Sequence, residues 1–191
     1  MFKRDLNFNF NYICDFDIAN IKNIVQDFRH EWMLDDHRQN YYAQHVDTHS
    51  LIITMFPLMW QANHGYQYYS ISDPTNKLEK VIRPIIDYLE NHFDGKNGRT
   101  LLTKLRANGG IIPPHVDNGY YLQSVHRCHI PIITNDQVDF VVNKEVINMK
   151  VGQCYEINNK IFHGVKNNGT EDRVHLIVDI IPNQAFDNSN G

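Results

Sequence analysis

The chain is poor in cysteine. Cys14, Cys128 and Cys154 are odd in number, widely separated and in no Cys-x-x-Cys spacing. That excludes a disulfide framework and a zinc ribbon, and it points to free, buried thiols in a reducing compartment. No stretch approaches the ~18 apolar residues that would span a bilayer. The opening MFKRDLNFNFNYI alternates apolar and polar residues, so it lacks the continuous apolar run of a signal peptide. A cytoplasmic protein is the expectation. Positive charge is not in excess either: the formal net charge is −4, which gives no electrostatic footing for nucleic acid or an anionic membrane. Repeats, linkers and low-complexity tracts are missing, and 191 residues suit one domain.

What is present is a folding sequence, 42% hydrophobic with ten Phe and ten Tyr. Alternation of Leu6, Phe8, Phe10 and Tyr12 predicts a half-buried strand. Asp17 is placed to cap a helix whose stripe is Ile18, Ile21, Ile24, Val25, Phe28 and Trp32. A polar, aromatic run from His37 to His49 leads into a β-branched strand over Ser50–Phe56. A tyrosine-rich loop is expected over Gln61–Ser72. Asp73-Pro74 then opens a helix, with Leu78, Val81, Ile82, Ile85, Ile86 and Leu89 on one face, ending near His92 before Gly95. Pro84 lies inside that pattern and is expected to kink or split it.

From Arg99 the texture changes. Short apolar runs are separated by Asn108-Gly-Gly, Thr134-Asn-Asp, Asn143-Lys-Glu, Asn158-Asn-Lys and Asn167-Asn-Gly-Thr. Turn signals at intervals of roughly 8–12 residues indicate a sandwich or barrel of about six to eight strands. The expected fold is mostly β (α+β): a double-stranded β-helix core, a cupin-like jelly roll, with helices supplied mainly by the N-terminal half. We divide the single domain into residues 1–98, a metal-binding β-core at 99–182 and a polar tail at 183–191.

His-x-Asp occurs three times, at His45-Val-Asp47, His92-Phe-Asp94 and His115-Val-Asp117. His92 falls at a helix C-terminus, where a histidine simply suits the dipole. His115 follows a strand in the β-unit that also contains His163. On a strand, His115 and Asp117 would share a face, because side chains alternate with period two. With His163 they would form two His and one carboxylate, the set that non-haem iron(II) oxygenases use. A hairpin turn centred on Asn168 would place His163 directly opposite Arg173. An arginine facing the same interior as a metal site can hold the far carboxylate of a chelating acid bidentately. Arg127 and His129 share a face by the same alternation, with Cys128 and Ile130 opposite. So much buried positive charge calls for a metal or an anionic ligand.

Together, Gly109-Gly110 before His115-x-Asp117, Arg127-x-His129-Ile130-Pro131 with Thr134-Asn135, Gly152 through His163, and Arg173 ten residues beyond resemble the aspartyl/asparaginyl β-hydroxylase family. These are Fe(II)/2-oxoglutarate dioxygenases, and the resemblance covers Leu101–Pro182. It implies iron held by His115, Asp117 and His163, and the 5-carboxylate of 2-oxoglutarate held by Arg173. Some relatives lack the carboxylate ligand, whereas Asp117 is present. The Arg127–His129 strand would line the cosubstrate site. The position from which relatives offer a hydroxyl falls near Lys104, with Thr103 beside it. Implied partners are 2-oxoglutarate, O2 and an amino-acid, peptide or protein substrate. A C–H bond of a peptidyl Asp or Asn, or of a free amino acid such as proline, would be hydroxylated, with succinate and CO2 as co-products. Tyr120, Tyr121, His45 and His49 are candidates for the substrate mouth. A cupin-type metal enzyme or metal-binding protein that does not use 2-oxoglutarate would share the ligands but need no buried Arg173. A non-catalytic ligand-binding jelly roll would need no iron.

Overall fold

In the computed structural model, which describes residues 4–28, 32, 45–54 and 73–187 (backbone alone at 73–76 and 186–187), the chain forms two antiparallel sheets and a helical layer. The elements are β1 (Phe10–Asp15), α1 (Ala19–Gln26), β2 (Thr48–Thr54), α2 (Asp73–His92), β3 (Gly95–Leu105), β4 (Gly110–His115) and α3 (Tyr120–Ser124). They continue as β5 (His126–Ile133), β6 (Val138–Val142), β7 (Glu145–Ile147), β8 (Gln153–Ile157), β9 (His163–Asn167), β10 (Arg173–Pro182) and α4 (Gln184–Asp187). Residues 37–44 of the polar aromatic run, Met55 and Phe56, the Gln61–Ser72 loop and the last four residues lie outside the described residues. No helix among the described residues is long and apolar enough to cross a membrane.

The larger sheet has the order β1-β8-β5-β10-β3-β2, the smaller β4-β9-β6-β7. From β3 onward the chain mostly crosses between sheets from one strand to the next, as in a jelly roll. Of the consecutive strands, β6 and β7 form a hairpin within one sheet, turning at Asn143 with φ 51°. The expected β-unit of six to eight strands is therefore present, with eight, and β1 and β2 from the N-terminal half supply the two edges of its larger sheet.

The larger sheet has two unlike faces. Outward, Cys128, Ile130, Ile132, Cys154, Val174, Leu176, Val178 and Ile180 pack against Ile21, Val25, Leu78, Ile82, Ile86 and Leu89 of the helices. Inward, toward the smaller sheet, Leu105, Ile112, Val138, Phe140, Val142, Ile157 and Val165 form a second core. Every residue of β10 is buried. Its outward residues are aliphatic, while its inward ones are Arg173, His175, Ile177 and Asp179.

Three local expectations are corrected. Residues 6 and 8 precede the first strand, which begins at Phe10; backbone groups of that lead-in segment are taken by side chains, Asn158 Nδ2 lying 3.0 Å from Phe8 O. Asp17 accepts from Ala19 N–H at 3.0 Å, but the N-cap position itself is Ile18. Helix α2 runs unbroken through Pro84. An interior proline costs about 3 kcal/mol, whereas each aliphatic side chain fully buried contributes roughly 1.5–3 kcal/mol; Leu78, Ile82, Ile85, Ile86 and Leu89, all nearly inaccessible, outweigh it. The tail after Pro182 also holds a short helix, α4, whose Ala185 packs with Val125 and Ile181.

A buried ion cluster ties the N-terminal segment to the larger sheet. Glu156 Oε1 lies 2.7 Å from Arg4 Nη2 and 2.8 Å from His126 Nδ1. Burial raises the Glu156 pKa, but His126 and Arg4 outweigh it and leave it below the ordinary 4.5. A depressed carboxyl contributes stability above its unfolded pKa and loses it as pH falls through the folded value. Glu156→Gln is expected to cost about 3 kcal/mol at neutral pH. The gap between wild type and variant in urea melts should close as pH drops below 4.5; a pH-independent gap would exclude the ionic account.

Candidate metal centre and anion pocket

Strands β4 and β9 pair so that His115 stands opposite His163, with ring centroids 4.4 Å apart. Gly164 permits this approach, since a Cβ there would sit 2.8 Å from Ile112 O. The same device aims both rings. His115 Nδ1 lies 2.8 Å from Pro113 O and His163 Nδ1 3.0 Å from Ile161 O, each a carbonyl two residues back. A carbonyl can only accept, so each Nδ1 carries the proton and each Nε2 presents a lone pair. Burial lowers the His163 pKa despite Asp117, which keeps that lone pair available.

Asp117 joins them, though not by strand alternation. β4 stops at His115, and Asp117 reaches the site from the loop beyond. Its N–H donates to Asn159 O at 3.0 Å, and its carbonyl accepts from Gln123 Nε2 at 2.8 Å. Oδ1 lies 3.8 Å from His115 Nε2, and Oδ2 3.9 Å from His163 Nε2. The three ligand atoms fall within 4.8 Å of one another, and no other such group of His, Cys, Asp or Glu occurs among the described residues. Two neutral imidazoles and one carboxylate fit a divalent ion and leave coordination positions for small ligands.

Arg127 stands directly across the β5–β10 ladder from Asp179. Its Nε and Nη2 donate to the two Asp179 oxygens at 2.8 Å each, and Nη1 donates to Asp117 Oδ2. Burial opposes charge on both Asp117 and Arg127. The guanidinium, with His163 and His115, nevertheless holds Asp117 well below the carboxylate range. Asp117 and Asp179 in turn hold Arg127 above its own ordinary value.

Arg173 is 1% exposed and stacks on the Phe140 ring, 5.7 Å from its centroid. Its Nη2 lies 2.6 Å from His175 Nδ1, and no carboxylate among the described residues pairs with it. Burial lowers its pKa to about 9, so it remains a cation at neutral pH. Burial and the Arg173 charge also push His175 and His129 well below 6.5. Since His175 Nδ1 accepts from Arg173, its proton sits on Nε2. That atom, Arg173 Nε, His129 Nδ1 and Thr103 Oγ1 are buried with no hydrogen-bond partner.

The structure thus gathers His115, Asp117, His163, Arg127, His129 and Arg173 between the two sheets. It does not form the expected hairpin. β9 belongs to the smaller sheet and β10 to the larger, where Arg173 faces Leu105 and not His163. Asn168-Gly169 carries the chain from one sheet to the other, and Gly169 does not adopt the positive φ of a tight hairpin. Of the two residues at the expected hydroxyl position, Thr103, paired with His175, faces inward, and Lys104 points outward over Trp32.

His45 lies edge-on to His115 at 6.1 Å. His49 pairs with Lys104 and so shares the outward face, away from the site. The Tyr121 hydroxyl reaches Asp179 Oδ2 at 3.3 Å and is structural. Tyr120 is half-buried on α3, and His92 stacks on Tyr88 at a distance from the centre. Asp179, His175 and Asn159 were not foreseen. The first two sit at period-two spacing from Arg173, a signal present in the sequence; Asn159 is a loop residue with none.

Comparison with known proteins agrees with this geometry. A family model described as aspartyl/asparaginyl beta-hydroxylase matches residues 19–182. No curated protein sequence matches. Among solved structures, an oxidoreductase of the 2OG-Fe(II) oxygenase family from Burkholderia pseudomallei is similar at TM-score 0.58 and 14% identity, over 86% of this chain and 77% of that one. A viral collagen prolyl hydroxylase from Paramecium Bursaria Chlorella virus-1, in complex with 2OG, gives TM-score 0.50 and 10% identity over 92% and 97%. A prolyl hydroxylase from Trichoplax adhaerens, in complex with a hypoxia inducible factor peptide fragment, gives 0.51 and 9% over 92% and 84%. These likenesses bear on the fold, and the family rests on the sequence match. The chain belongs to the aspartyl/asparaginyl β-hydroxylase family of 2-oxoglutarate-dependent hydroxylases.

Proposed function

We propose that His115, Asp117 and His163 hold iron(II), and that Arg173 holds the 5-carboxylate of 2-oxoglutarate. The C–H bond hydroxylated would then belong to an amino-acid side chain, either peptidyl Asp or Asn or a free amino acid such as proline. The observation that carries the cosubstrate reading is Arg173 itself. An unpaired guanidinium buried between two sheets costs several kcal/mol, and the dicarboxylate is the anion that would offset this cost. The family description supports the amino-acid substrate.

Bound iron(II) and 2-oxoglutarate would supply the oxidative decarboxylation to succinate and CO2 and the transfer of oxygen to carbon. The protein's own groups do the rest. Nδ1–H contacts to Pro113 O and Ile161 O fix both imidazoles with Nε2 toward the metal. Arg173 and the Thr103 hydroxyl are available to the 5-carboxylate, with His175 Nε2–H as a third donor. The neutral His129 and the Arg127 side chain face the same space between the sheets, His129 lying against Phe140 at 5.1 Å. Neither histidine carries charge there at neutral pH, so the anion's charge is matched by Arg173. His45 is placed to face a substrate arriving beside His115.

Anaerobic titration of the Fe(II)-loaded protein with 2-oxoglutarate should produce a visible metal-to-ligand charge-transfer band. Arg173→Ala should keep the metal and weaken cosubstrate binding thirtyfold or more, the equivalent of at least about 2 kcal/mol for losing one member of a buried charge pair. No band from folded, iron-replete wild type would leave a metal cupin that does not use 2-oxoglutarate. The substrate class is tested by mass spectrometry after turnover with proline and with Asp- and Asn-containing peptides. One of these should gain a single oxygen with stoichiometric succinate; gain in none would exclude this substrate class.

Arg173 also sets an expectation for stability. Arg173→Met removes an uncompensated buried charge, so the ligand-free variant should melt no lower than wild type. Added 2-oxoglutarate with Mn(II) should raise the wild-type Tm and leave the variant where Mn(II) alone puts it. Equal cosubstrate shifts in both proteins would place the anion elsewhere.

A further inference from the structure

Asp117 is held more completely than a simple ligand requires. Its Oδ2 accepts from Arg127 Nη1 and from Asn159 Nδ2 at 3.2 Å, whereas Oδ1, toward His115, has no donor among the described residues. One oxygen is capped by two donors, and the other is left to a metal. We infer that Asp179, which touches neither metal nor cosubstrate, is a positioning residue that acts through Arg127 to present Asp117 as a ready-made one-oxygen ligand. This inference rests on the metal-centre reading above and goes beyond it.

The fold has built a bracket for Asp179. Across the β3–β10 ladder, β3 takes three steps from Asn97 to Thr100 where β10 takes two from Val178 to Ile180. The extra residue makes a bulge beside Asp179, and bulges characteristically re-aim groups near active sites. It frees the Arg99 amide from the ladder to donate to Tyr121 Oη at 2.7 Å. The Tyr121 hydroxyl then donates its own proton to Asp179 Oδ2 at 3.3 Å, beside Arg99 Nε at 3.4 Å. Gly98 is required here, because a Cβ would collide with that hydroxyl. Tyr121 lies on α3, four residues beyond Asp117, so the bracket fastens the ligand loop at its far end also. With both oxygens engaged by Arg127, Asp179 directs Nη1 at Asp117 and keeps the guanidinium from pairing with both Asp117 oxygens.

Without Asp179, Arg127 would be free to take Oδ1 as well and compete with the ion. The test is titration of the metal-free, full-length protein with Co(II) alone, read by its visible d–d spectrum and by affinity. Asp179→Asn is expected to weaken Co(II) binding tenfold or more, the usual effect of removing a group that orients a metal ligand, and to change the band shape. Tyr121→Phe, which deletes one hydroxyl, should change both in the same direction by less, and it decides the matter if Asp179→Asn fails to fold. A purely structural role would lower the Tm while leaving the affinity and spectrum of folded protein at wild-type values. That result in the deciding variant would overturn the inference. No Co(II) uptake by wild type would instead overturn the metal-centre reading on which it rests.

Discussion

Two arginines are buried between the same two sheets, and their electrostatic fates differ. Arg127 is answered by carboxylates on two sides, Asp179 across the ladder and Asp117 in the loop. Arg173 is answered by none among the described residues and leans on a neutral histidine and an aromatic face. The desolvation cost of an ion in a protein interior is several kcal/mol however the neighbours are arranged. One arginine is cancelled internally; the other, left open, would be a receptor for an anion in the proposed reading. The inward face of the larger sheet is organised around that contrast, and its outward aliphatic face secures the fold independently.

Much of this could be read from the sequence because strands alternate. Arg127 and His129 share one face by period two, and Arg173 falls on the face opposite Val174, Leu176 and Val178, whatever the topology. The same rule places His175 and Asp179 inward with Arg173. What failed was pairing. Asn167-Asn-Gly-Thr carries the composition of a hairpin turn, yet here it links two sheets, since in a jelly roll neighbours in sequence are seldom neighbours in a ladder. His163 and Arg173 face the same interior for a different reason from the one expected.

Other parts of the site are silent in one dimension. Asp117 is fixed by Asn159, Gln123 and Arg127, contacts from a loop, a helix and a distant strand that leave no periodic trace. The bulge at Gly98–Arg99 shows only as a glycine within an otherwise regular strand. Pro84 misleads in the opposite direction: its local cost is real, but the aliphatic face of α2 overrides it.

The division of labour between the sheets has a dimensional consequence. The imidazoles come from β4 and β9 of the smaller sheet, and Arg173 from β10 of the larger. In the proposed reading, a ligand chelating the metal at one end and meeting Arg173 at the other must bridge the gap between layers. Packed sheets stand about 10 Å apart, and that gap is maintained here by core side chains such as Phe140, over which Arg173 lies. In that reading the hydrophobic core would also be a ruler, the thickness of the sandwich selecting acids by the length of carbon chain between their carboxylates.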